Sequence, residues 1–148
     1  NRLPIFPIYY SGNTKFMPIH VSDLTEVIFY VIDKKINSMI IECVGNEIIT
    51  FKEVLKRLLK LIDKKRILIP LPLIIAKLSS KFLQKFPKPL ITEDQLRLLA
   101  YDNVTSGDYK TNFDLGITNK TVFDKEVEKY CFMWREAGQF STNKYTKK

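Results

Sequence analysis

The chain's one histidine, His20, stands three residues before Asp23 in the stretch FMPIHVSDL, residues 16 to 24. Such a pair could serve as a general base and its orienting group, provided a reacting partner lies within hydrogen-bond reach. The competing reading is structural. Asp23 falls where a helix N-cap belongs, so backbone N–H groups would take its carboxylate. His20 ends a strand, where a satisfied structural histidine is the commoner outcome. Other chemistry is thin. The five glycines form no phosphate-cradling loop, and no GxSxG motif occurs. Cys43 and Cys131 lie far apart, without a CxxC pair and with a single histidine to help, which argues against a zinc site. Lys77, Lys81 and Lys85 recur every four residues, opposite an apolar face that includes Ile74, Leu78 and Phe82. That pattern is either a solvated lysine face over an ordinary core or a docking surface for anionic lipid or an acidic partner.

The elements that would carry these residues can be read from caps and periodicity. Residues 1 to 15 are proline-spotted and turn-like, with Ser11-Gly12-Asn13 as the clearest turn. Phe16 to Val21 reads as a short strand. Asp23 with Glu26 reads as a capping pair for a helix carrying Leu24, Val27, Ile28, Val31 and Ile32. Met39 to Val44 is a second strand, closed by Gly45-Asn46. Thr50 with Glu53 is a capping box opening a helix whose apolar face is Val54, Leu55, Leu58, Leu59 and Ile62. The basic run Lys64-Lys65-Arg66 and the apolar stretch Ile67 to Leu71 follow. Pro72 suits the first turn of a helix to about Phe86, which Pro87 and Pro89 stop. Thr92 with Gln95 predicts a helix through about Tyr101, and Thr121 with Asp124 a last one towards Tyr130 and Trp134. The polar tail from Ser141 is expected to be disordered.

A length of 148 residues allows about one domain, and 45% hydrophobic with 27% charged residues excludes wholesale disorder. The formal charge of +8 favours anionic partners, yet the lysines are spread and no nucleic-acid motif stands out. Two isolated cysteines suit a reducing compartment. No signal peptide is evident, and the apolar run Ile67 to Ala76 is too short to span a bilayer and is broken by Pro70 and Pro72. The two or three strands are too few for a sheet of usual size. With no initiator methionine, the chain is expected to be a fragment whose partner half lies upstream.

Several segments, taken in order, resemble the C-terminal half of an extended short-chain dehydrogenase/reductase, the NAD-dependent epimerase/dehydratase family. Phe16 to Leu24 resembles that family's F-x-x-V-H-V-x-D-V segment. Glu42 to Glu53 resembles its N-V-G-x-x-E-x-x-S/T-x-x-E segment. Asp114-Leu115-Gly116-Ile117 resembles its closing signature, although Thr118 and Asn119 replace the proline often found just after it. Tyr30 and Lys34 also match the YxxxK spacing of that family, in which the tyrosine is the acid/base. Here the pair falls at a helix end before Lys35 and reads as chance. Ile67 to Leu73, Pro89 to Leu99, Asp102-Asn103-Val104 and Ala137 to Phe140 resemble a narrower branch. That branch holds the nucleotide-binding accessory subunit of respiratory complex I (alpha-subcomplex subunit nine) and its bacterial relatives.

The resemblance implies an α/β fold: the closing strands of a Rossmann-type sheet plus a small C-terminal helical lobe. Residues 1–50 would complete the sheet, 51–140 would form the helical substrate-side lobe, and 141–148 would be tail. NAD or NADP would be bound by the missing N-terminal half, leaving this segment with no catalytic, cofactor-binding or metal residue of its own. Lys15 and His20 are the substrate-binding candidates, and Lys77, Lys81 and Lys85 the docking candidates for a partner or membrane. The implied role is nucleotide binding in support of respiratory-chain or quinone-pathway assembly. The alternatives are an active oxidoreductase or epimerase acting on a sugar nucleotide or isoprenoid-type substrate, and a basic amphipathic docking module. Expected partners are its own Rossmann half, complex I or quinone-pathway proteins, and an anionic membrane surface, with no specific nucleic acid. The expected location is the bacterial cytoplasm or the mitochondrial matrix, including the periphery of the inner membrane.

Overall fold

A computed structural model describes residues 4–72 and 92–135. Lys77, Lys81 and Lys85, the helix expected around them and the tail lie outside the described residues. Within them the chain is mixed α/β. Six short strands alternate with four α-helices: β1 (Ile5–Ile8), β2 (Lys15–Phe16), α1 (Val21–Asp33), β3 (Ile41–Glu42), β4 (Ile49–Thr50), α2 (Phe51–Leu61), β5 (Ile67–Pro70), α3 (Glu93–Leu98), β6 (Lys110–Thr111) and α4 (Phe123–Cys131). The strands pair two by two. β1 lies parallel to β5 with Ile5 opposite Ile67, β3 lies parallel to β6 with Ile41 opposite Lys110, and β2 runs antiparallel to β4. Each of these pairings joins residues from both sides of position 50, or meets at it.

The start of the chain differs from its sequence reading. Ile5–Ile8 is a strand and not a turn. Pro7 demotes such a run because it cannot donate to a ladder, but in a two-stranded ladder each strand has a free edge to turn it towards. The turn proper follows at Tyr10–Gly12, where Tyr10, Ser11 and Gly12 all have positive φ. A Cβ at Gly12 would stand 2.8 Å from the Cβ of Lys52, so this turn seats the start of α2 through a residue without a side chain. The expected strand from Phe16 to Val21 is shorter, ending its pairing at Phe16, and Met39 to Val44 pairs only at Ile41–Glu42.

The capping boxes at Thr50 and Thr92 form as their sequences imply. Thr50 N–H donates to Glu53 Oε2 at 2.8 Å while Glu53 N–H donates to Thr50 Oγ1 at 3.2 Å. At Thr92 and Gln95 the reciprocal bonds measure 3.0 and 3.2 Å. The helix from Thr92 ends at Leu98, short of Tyr101, and the last helix begins at Phe123, two residues past Thr121.

Few apolar residues are buried among the described residues: Ile8, Val27, Val44, Ile49, Leu96 and Cys131. α1 shows why. Its inner stripe buries Asp23 and Val27, but its outer stripe exposes Val21, Ile28, Phe29 (68%) and Ile32 (67%) to solvent. A helix apolar on both faces is ordinarily a buried one.

Candidate functional site

His20 and Ser22 at the start of α1 meet the start of α4. His20 is the N-cap of α1, in extended conformation, and its Nδ1 accepts the Ser22 backbone N–H at 3.2 Å. Asp23 is therefore not the cap; it stands one turn later, at the third helical position, and the residue is 4% exposed. The carboxylate is indeed consumed by backbone N–H groups, but by those of another segment. Oδ1 accepts from Lys120 N–H at 3.3 Å and Oδ2 from Thr121 N–H at 3.2 Å. The imidazole caps its own helix because its ring nitrogen reaches two residues ahead, which frees Asp23 to bind across the fold. Glu26 completes the clamp, holding Lys120 Nζ at 2.8 and 3.0 Å and raising the Lys120 pKa above that of an ordinary lysine.

The polar groups around His20 form a chain. Ser22 Oγ lies 2.7 Å from His20 Nδ1, and Glu126 Oε2 lies 3.9 Å from Nε2. A hydroxyl, an imidazole and a carboxylate in this order have the composition of a nucleophile, its base and an orienting acid. The geometry serves a different purpose. The single Nδ1 lone pair is shared with the Ser22 N–H, so it is not free to take the hydroxyl proton. Glu126 stands beyond hydrogen-bond reach of Nε2 and gives its other oxygen to Lys129 at 2.6 Å. This is a helix cap with a carboxylate behind it.

A second, more deeply buried clasp lies alongside. Asn112 is 0% exposed; its Oδ1 accepts the Val44 N–H at 2.9 Å and its Nδ2 reaches the Ile117 carbonyl and Asn119 Oδ1 at 3.4 and 3.3 Å. Asn119 Nδ2 donates to the Val44 carbonyl at 2.6 Å. Val44 is thus gripped at both backbone groups, and Gly45 beside it donates to the Met17 carbonyl at 3.1 Å. A Cβ at Gly45 would collide with the Pro18 carbonyl, so the segment between β2 and α1 packs directly on this glycine. Sequence periodicity offered no signal for Asn112, because its partners are 68 residues away in sequence or in the turn just after it.

The remaining expected site residues lie apart from this junction. Lys15 is exposed on β2, and its ammonium makes no ion pair among the described residues. Its backbone is fixed on both sides, with N–H to Asp102 Oδ1 at 2.9 Å and carbonyl to Asn103 N–H at 2.8 Å. Lys34 stands 6.0 Å from the centre of the Tyr30 ring and pairs with Asp33 at 3.0 Å, so it is directed at the ring face and a neighbouring carboxylate. Both cysteines are free thiols whose pKa is pushed up by burial. Among the described residues, no group of three or more histidine, cysteine or acidic side chains is placed to hold a metal ion. No described helix is long and apolar enough to cross a membrane. No protein-family model matches the chain, and no curated protein matches it significantly.

Proposed function

We propose that this chain is the closing lobe of an NAD(P)-binding protein of the extended short-chain dehydrogenase kind, akin to the complex I accessory-subunit branch. In this reading it packs on a Rossmann-type half that holds NAD or NADP, and supports respiratory-chain or quinone-pathway assembly. One observation carries the proposal: two separate two-stranded parallel ladders in a chain whose first helix has an apolar outer stripe. Parallel ladders are ordinarily covered on both faces, and two strands alone are too few for independent stability. Ile28, Phe29 and Ile32 of α1 are the residues such a half would cover. The test is co-expression of the chain with the polypeptide encoded upstream of Asn1, reading co-purification and the fluorescence of added NADH. A stable complex that enhances NADH fluorescence, and that Phe29→Lys with Ile32→Lys abolishes, is the expected result. Failure to co-purify, or a complex indifferent to those substitutions, overturns the proposal.

A second reading, an active NAD(P)-dependent oxidoreductase or epimerase on a sugar nucleotide or isoprenoid-type substrate, draws support from Lys15. Its exposed cation stands on a backbone held rigidly by Asp102 and Asn103. In that case Lys15→Ala raises the KM for an anionic substrate with little change in kcat.

A further inference from the structure

α2 carries a row of exposed lysines, and β5 carries an exposed apolar ridge. Lys52, Lys56 and Lys60 follow one another at four-residue spacing, which puts them on a single stripe of α2. All three are exposed, and none makes an ion pair among the described residues. Like charges at this spacing repel and weaken a helix. The nearby carboxylates relieve them little: the Glu53 carboxyl is lowered first by the Thr50 N–H and only least by the charge of Lys56. Glu53 is spent on the Thr50 cap, and Glu47 is held by both terminal guanidinium nitrogens of Arg57 at 2.8 and 2.9 Å. Lys64, half-buried, and Lys65, exposed, follow in the loop that leads into β5.

The apolar ridge begins there. Side chains alternate along β5, with Leu68 half-buried between outward-facing Ile67 (64%) and Ile69 (40%). Ile5 of β1 stands opposite Ile67 in register and is likewise exposed. α2 and β5 both pack against the Tyr10–Gly12 turn, which keeps the row and the ridge in one neighbourhood. We infer that this surface docks on an anionic phospholipid bilayer. The lysines would meet the headgroup charge, and the isoleucines would enter the boundary between headgroups and acyl chains. Two weak signals together are what stable peripheral binding requires, since neither suffices alone. A nucleic-acid backbone would satisfy the lysines but leave the isoleucines in water. The preponderance of lysine over arginine fits a diffuse field better than bidentate phosphate recognition.

The experiment is co-sedimentation of the full chain with phosphatidylcholine vesicles, with and without phosphatidylglycerol, at low and raised salt. Binding is expected only with phosphatidylglycerol and should weaken as salt rises. Lys52→Glu, Lys56→Glu and Lys60→Glu together should lower the partition coefficient by about tenfold or more. Ile67→Ser with Ile69→Ser should reduce it several-fold. A control triple with the same charge change elsewhere, Lys35→Glu, Lys110→Glu and Lys125→Glu, should keep most of the binding. Far-UV circular dichroism confirms that each variant is folded. Undiminished binding of the α2 triple, or equal loss in the control triple, overturns the inference. So does binding to a DNA duplex that is lost in the α2 triple but indifferent to Ile67 and Ile69.

Discussion

α1 and α2 each turn one stripe inwards, but what they turn outwards is opposite in kind. α1 shows Val21, Ile28, Phe29 and Ile32 to solvent, with its acidic residues taken up by neighbours. α2 shows Lys52, Lys56 and Lys60 and keeps its aliphatic residues half-buried against α4. An apolar stripe calls for a packed protein surface, where area removed from water supplies the stabilisation. A lysine stripe calls for an anionic surface with which it can stay partly hydrated. One small chain therefore carries two outward faces of opposite character. The helices also differ in how they are anchored: α1 by a buried carboxylate that binds across the fold, α2 by a cap within its own first turn.

The largest effect that tests this contrast is expected at the α1 anchor. Asp23→Ala leaves the Lys120 and Thr121 N–H groups without their acceptor, and should cost about 3 kcal/mol in urea unfolding. A loss no greater than that of a surface substitution would remove the distinction between the two anchors. At the α2 anchor, Thr50→Ala should cost about 1 kcal/mol, the usual worth of an N-cap.

The same cap predicts a pH dependence. The backbone N–H of Thr50, followed by its hydroxyl, holds the Glu53 carboxyl below its ordinary value of 4.5. A depressed folded pKa means that this contribution is fully present above the unfolded value and is lost as pH falls through the folded one. Asp114, lowered first by the Thr111 N–H, acts in the same direction. Glu53→Gln should therefore flatten part of the acid limb of a stability–pH curve, and an unchanged limb would show that the cap does not couple to folding. The smallest effect is on the outer stripe of α1. Phe29→Lys with Ile32→Lys should shift the stability of the chain alone by no more than about 0.5 kcal/mol, while abolishing association with the proposed partner half. A large loss of stability in isolation would mean that the stripe already packs within this chain.

Much of the local structure was legible in the sequence because its causes are local. Thr50 and Glu53, and Thr92 and Gln95, sit three residues apart and close on themselves whatever surrounds them. The helical spacing in α2 likewise declares which face is apolar. The strands were legible only in part. Ile5–Ile8 carries a proline and pairs with a segment some 60 residues away, so nothing nearby marks it as extended. The His20–Asp23 pair shows the limit most clearly. The sequence put His20 at a strand's end and Asp23 at the helix cap, with its carboxylate spent on backbone N–H groups; instead His20 caps, and whose N–H groups Asp23 binds depends on where residues 120 and 121 arrive.

By itself, then, the sequence determined the starts of α2 and α3, the mixed α/β character and the apolar face of α2, since these rest on interactions within a turn or two of chain. Tertiary structure alone decided that Asn112 is buried and grips Val44, that Asp23 binds across the fold while His20 caps, and that the outer stripe of α1 faces solvent. Asn112 meets Val44 68 positions away and Asp23 meets Lys120 97 positions away, and spacing along a chain carries no record of such an approach in space.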